Sequence, residues 1–92
     1  MKVHWTRSAE KHLDAIYDFI AQDSPQYAQQ TVDRLTRVSQ QIADFPYSGR
    51  MVPEYESDLV REVIYGRYRI IYTIKTAQID VLAVIHCSSL LY

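Results

Sequence analysis

The chain has 92 residues, of which 48% are hydrophobic and 23% charged, a composition that is ordinary for a soluble globular protein. We therefore expect a single domain over residues 1–92, close to the lower size limit for independent folding. The formal net charge is −1, with −3 over residues 1–58 and +2 over residues 59–92. This balance disfavours sequence-independent binding to nucleic acid, because each phosphate contact needs a cation.

The single cysteine, Cys87, excludes an internal disulfide and a cysteine-based zinc site. No apolar stretch approaches the ~20 residues of a membrane span, and no apolar leader precedes a cleavage site. We therefore expect a cytoplasmic protein that has no membrane partner. No metal site and no cofactor are predicted.

The N-terminal half predicts one strand followed by two helices. Lys2–Thr6 alternates polar and apolar residues, as strands do, and Thr6 or Ser8 can cap the helix that follows. That helix carries one apolar stripe at three- and four-residue steps: Ala9, Leu13, Ile16, Phe19 and Ile20. Ser24 and Pro25 begin a second helix that we expect to run to about Asp44. The short turn between the helices predicts a helical hairpin.

The C-terminal half predicts three strands, Leu59–Tyr65, Tyr68–Lys75 and Ile79–His86, all rich in Val, Ile and Tyr. Short connectors at Gly66–Arg67 and Thr76–Gln78 join them into a meander. The order β-α-α-β-β-β predicts an α+β fold, in which the hairpin packs on one face of a small, mainly antiparallel sheet. The other face is then expected to be open and to carry the function or a partner. We expect the first strand to join the sheet beside one of the last three.

Taken together, these segments resemble the RelE/ParE family of toxins from type II toxin–antitoxin systems. The similarity runs over nearly the whole chain. It rests on SAEKHLDAIYDFI and SPQYA in the hairpin, FPYSGRMVPEY in the connector, and LVREVIYGRYRIIY and IDVLAVIH in the strands. The resemblance implies a compact toxin that is neutralised by a cognate antitoxin protein, whose C-terminal segment wraps around it. We therefore expect a hetero-oligomer with the antitoxin.

One branch of this family, the RelE-like toxins, cuts messenger RNA in the ribosome. That reaction needs cations around the scissile phosphate and an acid/base group. The resemblance gives this role to Arg69, and His86 is the second candidate if the chain is a nuclease. Where such nucleases carry further arginines this chain has Cys87, Ser88 and Ser89, and Tyr92 is offset from their terminal tyrosine. These residues indicate little nuclease activity.

The other branch, the ParE-like toxins, binds DNA gyrase and stabilises its cleaved complex with DNA, which requires no catalytic residue in the toxin. The string SGRMVPE is more typical of this branch and of relatives named for plasmid stabilization, so we interpret the chain as a gyrase inhibitor. Ser89 replaces an arginine that such chains often carry. Two alternatives therefore stay open: a ribosome-dependent endoribonuclease, and an attenuated relative that acts only as an antitoxin-binding module.

The connector at residues 44–55 is the candidate partner-binding region. It holds two of the three prolines and one of the two glycines, and so long a connector in a small domain is unusual unless it is functional. We expect it to pack across the sheet and to contact a partner. The candidate target- or partner-binding residues are Tyr47, Arg50, Tyr55, Arg61 and Arg69. Arg69 is expected on the open face, with Glu62 as a structural ion-pair partner.

Overall fold

The computed structural model describes residues 1–88. Its helices and strands are β1 (Lys2–Trp5), α1 (Arg7–Ala21), α2 (Pro25–Ile42), β2 (Arg50–Met51), β3 (Val60–Tyr65), β4 (Tyr68–Ile74) and β5 (Gln78–His86), with a 3₁₀ turn at Pro46–Ser48. The predicted α+β fold is confirmed. The differences predicted for the tail at Ser89 and Tyr92 lie outside the described residues.

The five strands form one mixed sheet in the order β1-β5-β4-β3-β2. β1 runs parallel to β5, and every other neighbouring pair is antiparallel. The first strand thus joins the sheet beside the last one, in agreement with the expectation. Strand β2 was not predicted, because two residues are too few to show an alternating pattern. It pairs with β3 through Arg50–Glu62 and Met51–Arg61.

Both helices begin at capping residues that the sequence indicates. Thr6 Oγ1 accepts a hydrogen bond from the Ala9 N–H at 3.2 Å, and Ser24 Oγ accepts one from the Tyr27 N–H at 3.1 Å. Helix α2 ends at Ile42, slightly before the predicted end, and the 3₁₀ turn follows. Within residues 1–88, neither helix combines the length and the apolar character that a membrane span requires.

The two helices cover one face of the sheet. The buried core between them consists of Ala9, Leu35, Ile42, Ile70, Tyr72, Ile74, Ile79, Val81 and Val84. The predicted stripe of α1 is wrong at Phe19, whose side chain is 72% exposed, whereas Ile20 is half-buried. Consecutive helical residues point about 100° apart, so a narrow contact with the sheet takes one of the two and leaves the other in solvent.

The opposite face was predicted to be open, and this is wrong because the connector lies across it. A second apolar cluster forms there from Val52, Val60, Ile71 and Ala83. Val52 is almost fully buried, and its N–H donates to the Val60 carbonyl oxygen at 3.4 Å. The expectation of an open face counted only the two helices as cover, whereas the separate expectation that the connector packs across the sheet is confirmed. A connector with one inward-facing valine serves the same purpose.

Candidate functional site

An ion-pair network around Arg69 occupies the centre of the connector-covered face. Arg69 Nε donates to Glu62 Oε1 at 2.6 Å, while its Nη1 and Nη2 donate to the two carboxylate oxygens of Glu54 at 2.9 Å and 2.8 Å. The three side chains are 6%, 0% and 8% exposed, respectively. Arg69 therefore lies on the predicted face of β4, but it is buried beneath the connector instead of standing in solvent.

The network joins the connector to the sheet by charge. The second carboxylate oxygen of Glu62, Oε2, accepts a hydrogen bond from Arg50 Nε. The Arg50 side chain remains 60% exposed. Two arginines and two carboxylates balance one another, which is the condition for keeping such groups buried. The hydrogen bonds that Arg69 donates to Glu54, together with the one it donates to Glu62, raise the pKa of Arg69 above the ordinary arginine value. Arg69 is therefore a permanent cation, and its charge is balanced within the protein by Glu54 and Glu62.

A second link beneath the connector involves Tyr72 and Gly49. The Tyr72 hydroxyl donates to the Pro46 carbonyl oxygen at 2.7 Å and accepts a hydrogen bond from the Gly49 N–H at 3.2 Å. Burial raises the pKa of this phenol. A Cβ on Gly49 would lie 2.4 Å from Tyr72 Oη and 2.7 Å from the Glu62 carbonyl oxygen. Glycine is thus required here by the close approach of the connector to the sheet.

Arg61 supports the outer part of the connector. Its Nε donates to the Asp58 carbonyl oxygen at 2.7 Å and its Nη1 to the Gly49 carbonyl oxygen at 3.1 Å. The guanidinium carbon also lies 5.2 Å from the centroid of the Tyr47 ring, within cation–π range. Arg61 is half-buried. Its guanidinium group therefore packs against the exposed Tyr47 ring and restricts the position of that ring.

The connector exposes a small mixed surface, which we call the connector surface: Tyr47, Arg50, Met51, Tyr55 and Leu59. Three of the five predicted contact residues, Tyr47, Arg50 and Tyr55, are therefore exposed on the connector. Sequence reasoning missed Glu54. Pro53 and Glu54 lie in a turn that is closed by a hydrogen bond from the Tyr55 N–H to the Val52 carbonyl oxygen at 3.1 Å, so no local periodicity pointed to Glu54.

His86 does not join Arg69 in one site. In the β4–β5 ladder His86 pairs with Tyr68, and Arg69 pairs with Ile85. Neighbouring residues of a strand point to opposite faces, so the two candidate nuclease residues lie on opposite sides of the sheet. The exposed His86 ring contacts Tyr68 edge to face at 5.9 Å between centroids, and its Nδ1 is 2.8 Å from Ser88 Oγ.

A separate cleft lies on the helix side of the sheet and was not predicted. Its volume is about 430 Å³, and it is enclosed by α1, α2 and the turn between β3 and β4. Arg34 Nη1 donates to Tyr65 Oη at 3.2 Å across its wall, which raises the pKa of Arg34.

Comparison with known proteins agrees with this architecture. The sequence model of the family described as "ParE toxin of type II toxin-antitoxin system, parDE" matches residues 3–91. A solved chain described as "Chromosomal ParDE TA system from P. aeruginosa" has a TM-score of 0.77 and 25% sequence identity to this chain. The alignment covers 94% of this chain and 95% of that chain. A search of curated protein sequences found no match.

Proposed function

This chain belongs to the ParE toxin family of type II toxin–antitoxin systems, and from that premise we propose that it inhibits DNA gyrase in the cytoplasm and is held inactive by a cognate antitoxin. The observation that carries the proposal is the engagement of Arg69 by Glu54 and Glu62. It favours inhibition by binding over cleavage of RNA.

A nuclease of the RelE-like kind needs cations that reach the scissile phosphate. The guanidinium of Arg69 is buried and donates to two carboxylates, so a phosphate would have to displace Glu54 and leave that carboxylate unpaired. Breaking such a buried pair costs about 3–5 kcal/mol. His86 lies on the other face of the sheet, where it cannot serve the same phosphate. These contacts favour a toxin that acts by binding.

Inhibition by binding needs an exposed surface of fixed shape, and the connector surface meets that requirement. Tyrosine and arginine are enriched among the residues that dominate protein interfaces, and Tyr47, Arg50 and Tyr55 are all exposed there. Arg61 orients the Tyr47 ring, and the network of Arg69 fixes the backbone beneath it. Little conformational freedom is then lost on docking, which favours affinity. In this proposal Arg69 positions the contact surface and does not itself contact gyrase.

The test is a DNA cleavage assay with purified gyrase, supercoiled plasmid and the purified chain. We expect the chain to increase the amount of linear DNA that is recovered after the proteins are denatured. The double variant Tyr47→Ala/Tyr55→Ala should require at least about tenfold more protein for the same effect, because it removes two central aromatic side chains. Phe19→Ala, which removes an aromatic ring that is 72% exposed on α1, is the matched control and should behave as wild type.

The same proteins are then induced in bacteria without an antitoxin. Growth arrest with filamentation, a DNA damage response and intact transcripts is the expected result. Ribosome-dependent cleavage of messenger RNA by the wild type, lost in Arg69→Ala, would instead establish a nuclease and overturn the proposal. A wild type that neither arrests growth nor stabilises the gyrase cleavage complex would overturn it as well.

A further inference from the structure

The cleft between the helical hairpin and the β3–β4 turn is lined mainly by arginine and tyrosine side chains. Two arginines and three tyrosines dominate its wall, together with one aliphatic side chain: Tyr27, Arg34, Tyr65, Arg67, Tyr68 and Ile20. Tyr65 and Tyr68 face the helices, so the cleft opens on the side of the sheet opposite to the connector. A molecule can therefore occupy the cleft without touching the packed interior of the connector.

The two arginines of the cleft are not neutralised by an ion pair within the part of the chain that the structure describes. Arg50, Arg69 and Lys75 each pair with a carboxylate, whereas within residues 1–88 neither Arg34 nor Arg67 forms an ion pair. The described residues that line the cleft include no Asp or Glu. In a chain of net charge −1, this is a local concentration of positive charge. Its natural complement is a carboxylate supplied from outside, because the arginine fork matches carboxylate geometry.

The wall of the cleft is held in place before any partner arrives. Tyr65 and Tyr68 are the last pair of the β3–β4 ladder, and Gly66 adopts φ +58° in the two-residue turn between them. A positive φ at the first turn residue is typical of the tight hairpin turns that suit a twisted sheet. The carbonyl oxygen of Arg67 accepts the Cys87 N–H at 2.7 Å, which ties the turn to the segment after β5. A preorganised wall lowers the entropy lost on binding.

We propose that this cleft binds an acidic segment of the antitoxin, with an Asp or Glu carboxylate between Arg34 and Arg67 and an adjacent apolar side chain against the tyrosines. The inference rests on the proposed function, since it names the contact that the antitoxin makes. A cleft of about 430 Å³ lies in the range that holds a ligand of a few side chains. RNA is a poorer occupant, because two cations cannot follow a phosphate backbone.

The first experiment measures the affinity of the purified cognate antitoxin for three forms of the chain. Arg34→Gln/Arg67→Gln should weaken binding by at least about tenfold and flatten its dependence on salt, as expected when exposed charge pairs are lost. Arg37→Gln, which removes an exposed arginine from the same helix outside the cleft, should bind as wild type. Thermal melting of the free proteins checks that all three are folded.

Equal affinities of the wild type and the double variant would overturn the inference while leaving the proposed function intact. An antitoxin that fails to bind even the wild type would overturn both. The two failures are thus distinguished by the wild type alone.

A second experiment uses short overlapping peptides that tile the antitoxin, each added to the isotope-labelled chain and followed by NMR. We expect one peptide with Asp or Glu beside an apolar residue to shift the amides of residues 27–34 and 65–68. Its version with Gln or Asn in place of the acids should lose most of that effect. If the amide version binds equally well, or if only inorganic phosphate shifts these resonances, the cleft is not a site for an acidic peptide.

Discussion

Arg69 of β4 and Glu54 of the connector form a two-pronged ion pair between residues fifteen positions apart in the chain, with Nη2–Oε1 at 2.8 Å and Nη1–Oε2 at 2.9 Å. The parallel hydrogen bonds fix the angle between the two groups as well as their distance. Because both side chains are buried, the loss of one partner leaves the other charged and unpaired. The connector therefore behaves as a fixed part of the sheet.

Glu62→Ala should be the most destabilising change in this network, since Glu62 pairs with both Arg50 and Arg69. We expect the free energy of unfolding to fall by about 3–5 kcal/mol, the usual cost of breaking a buried pair from one side. Urea denaturation followed by tryptophan fluorescence measures it. Glu56→Ala, an exposed acid of the connector, is the control and should stay within about 0.5 kcal/mol of wild type. Similar losses in both variants would contradict the structure.

Glu54→Ala should loosen the connector more than it loosens the sheet. Hydrogen exchange of the amides of Val52 and Tyr55, which bond to Val60 and Val52 carbonyl oxygens, is expected to become at least about tenfold faster, because the connector opens locally without global unfolding. The amides of β4 and β5 serve as the internal reference. A uniform increase at all these positions would mean that Glu54 only contributes to global stability.

The two glycines should respond differently to a methyl group. At Gly49 a Cβ meets the backbone of Glu62, which cannot move aside, so Gly49→Ala should cost at least about 3 kcal/mol, at the upper end for overpacking. Gly66→Ala meets no atom within 4 Å and should cost only about 1–2 kcal/mol, from its positive φ. Tyr72→Phe should cost less in the Gly49→Ala background than in wild type, because there it also removes one of the two clashes. Equal costs at the two glycines would show that the connector can shift.

Tyr72 predicts a specific dependence of stability on alkaline pH. Its pKa is raised in the folded protein, whereas in the unfolded chain it is about 10. The stability that the neutral Tyr72 phenol contributes is therefore fully present below about pH 10, and it is lost as the pH rises towards the pKa in the folded protein. Tyr72→Phe should cost about 1–3 kcal/mol at pH 7, since the Gly49 N–H loses its acceptor.

The measurement is urea denaturation of wild type and Tyr72→Phe between about pH 7 and pH 11. The difference in the free energy of unfolding between the two proteins should shrink above about pH 10, because the contribution of Tyr72 is lost there. The other seven tyrosines titrate in both proteins, so their effect cancels in the difference. A constant difference would mean that the Tyr72 phenol ionises alike in both states.

The elements that sequence reasoning placed well are those whose pattern is local. The apolar periodicity of α1 and α2 and the Val/Ile/Tyr-rich strands gave their bounds to within about two residues, and Gly66–Arg67 gave the hairpin turn. Alternation along β4 also gave the correct face for Arg69. Each of these inferences depends on neighbours within a few positions, where steric and hydrogen-bonding preferences are strong.

The features that sequence reasoning missed are those that depend on contacts between distant parts of the chain. Whether Arg69 is exposed or buried is decided by where Glu54 lies, and nothing in β4 contains that information. The cleft was missed for the same reason, since Arg34 and Tyr65 are 31 positions apart. Phe19 fits the apolar stripe of α1 by spacing, yet the narrow contact between the helix and the sheet leaves it outside.

The pairing of β1 with β5 bears on when the five-stranded sheet is completed during synthesis. Thr6 Oγ1 donates to the Val81 carbonyl oxygen across 75 positions of sequence, and β5 lies between β1 and β4 in the sheet. The strand made last during synthesis is thus the one that unites the first with the others. Strands β3 and β4, which hold the connector through Glu62, Arg69 and Tyr72, can pair before β5 is made, whereas β1 can join the sheet only after β5 has left the ribosome.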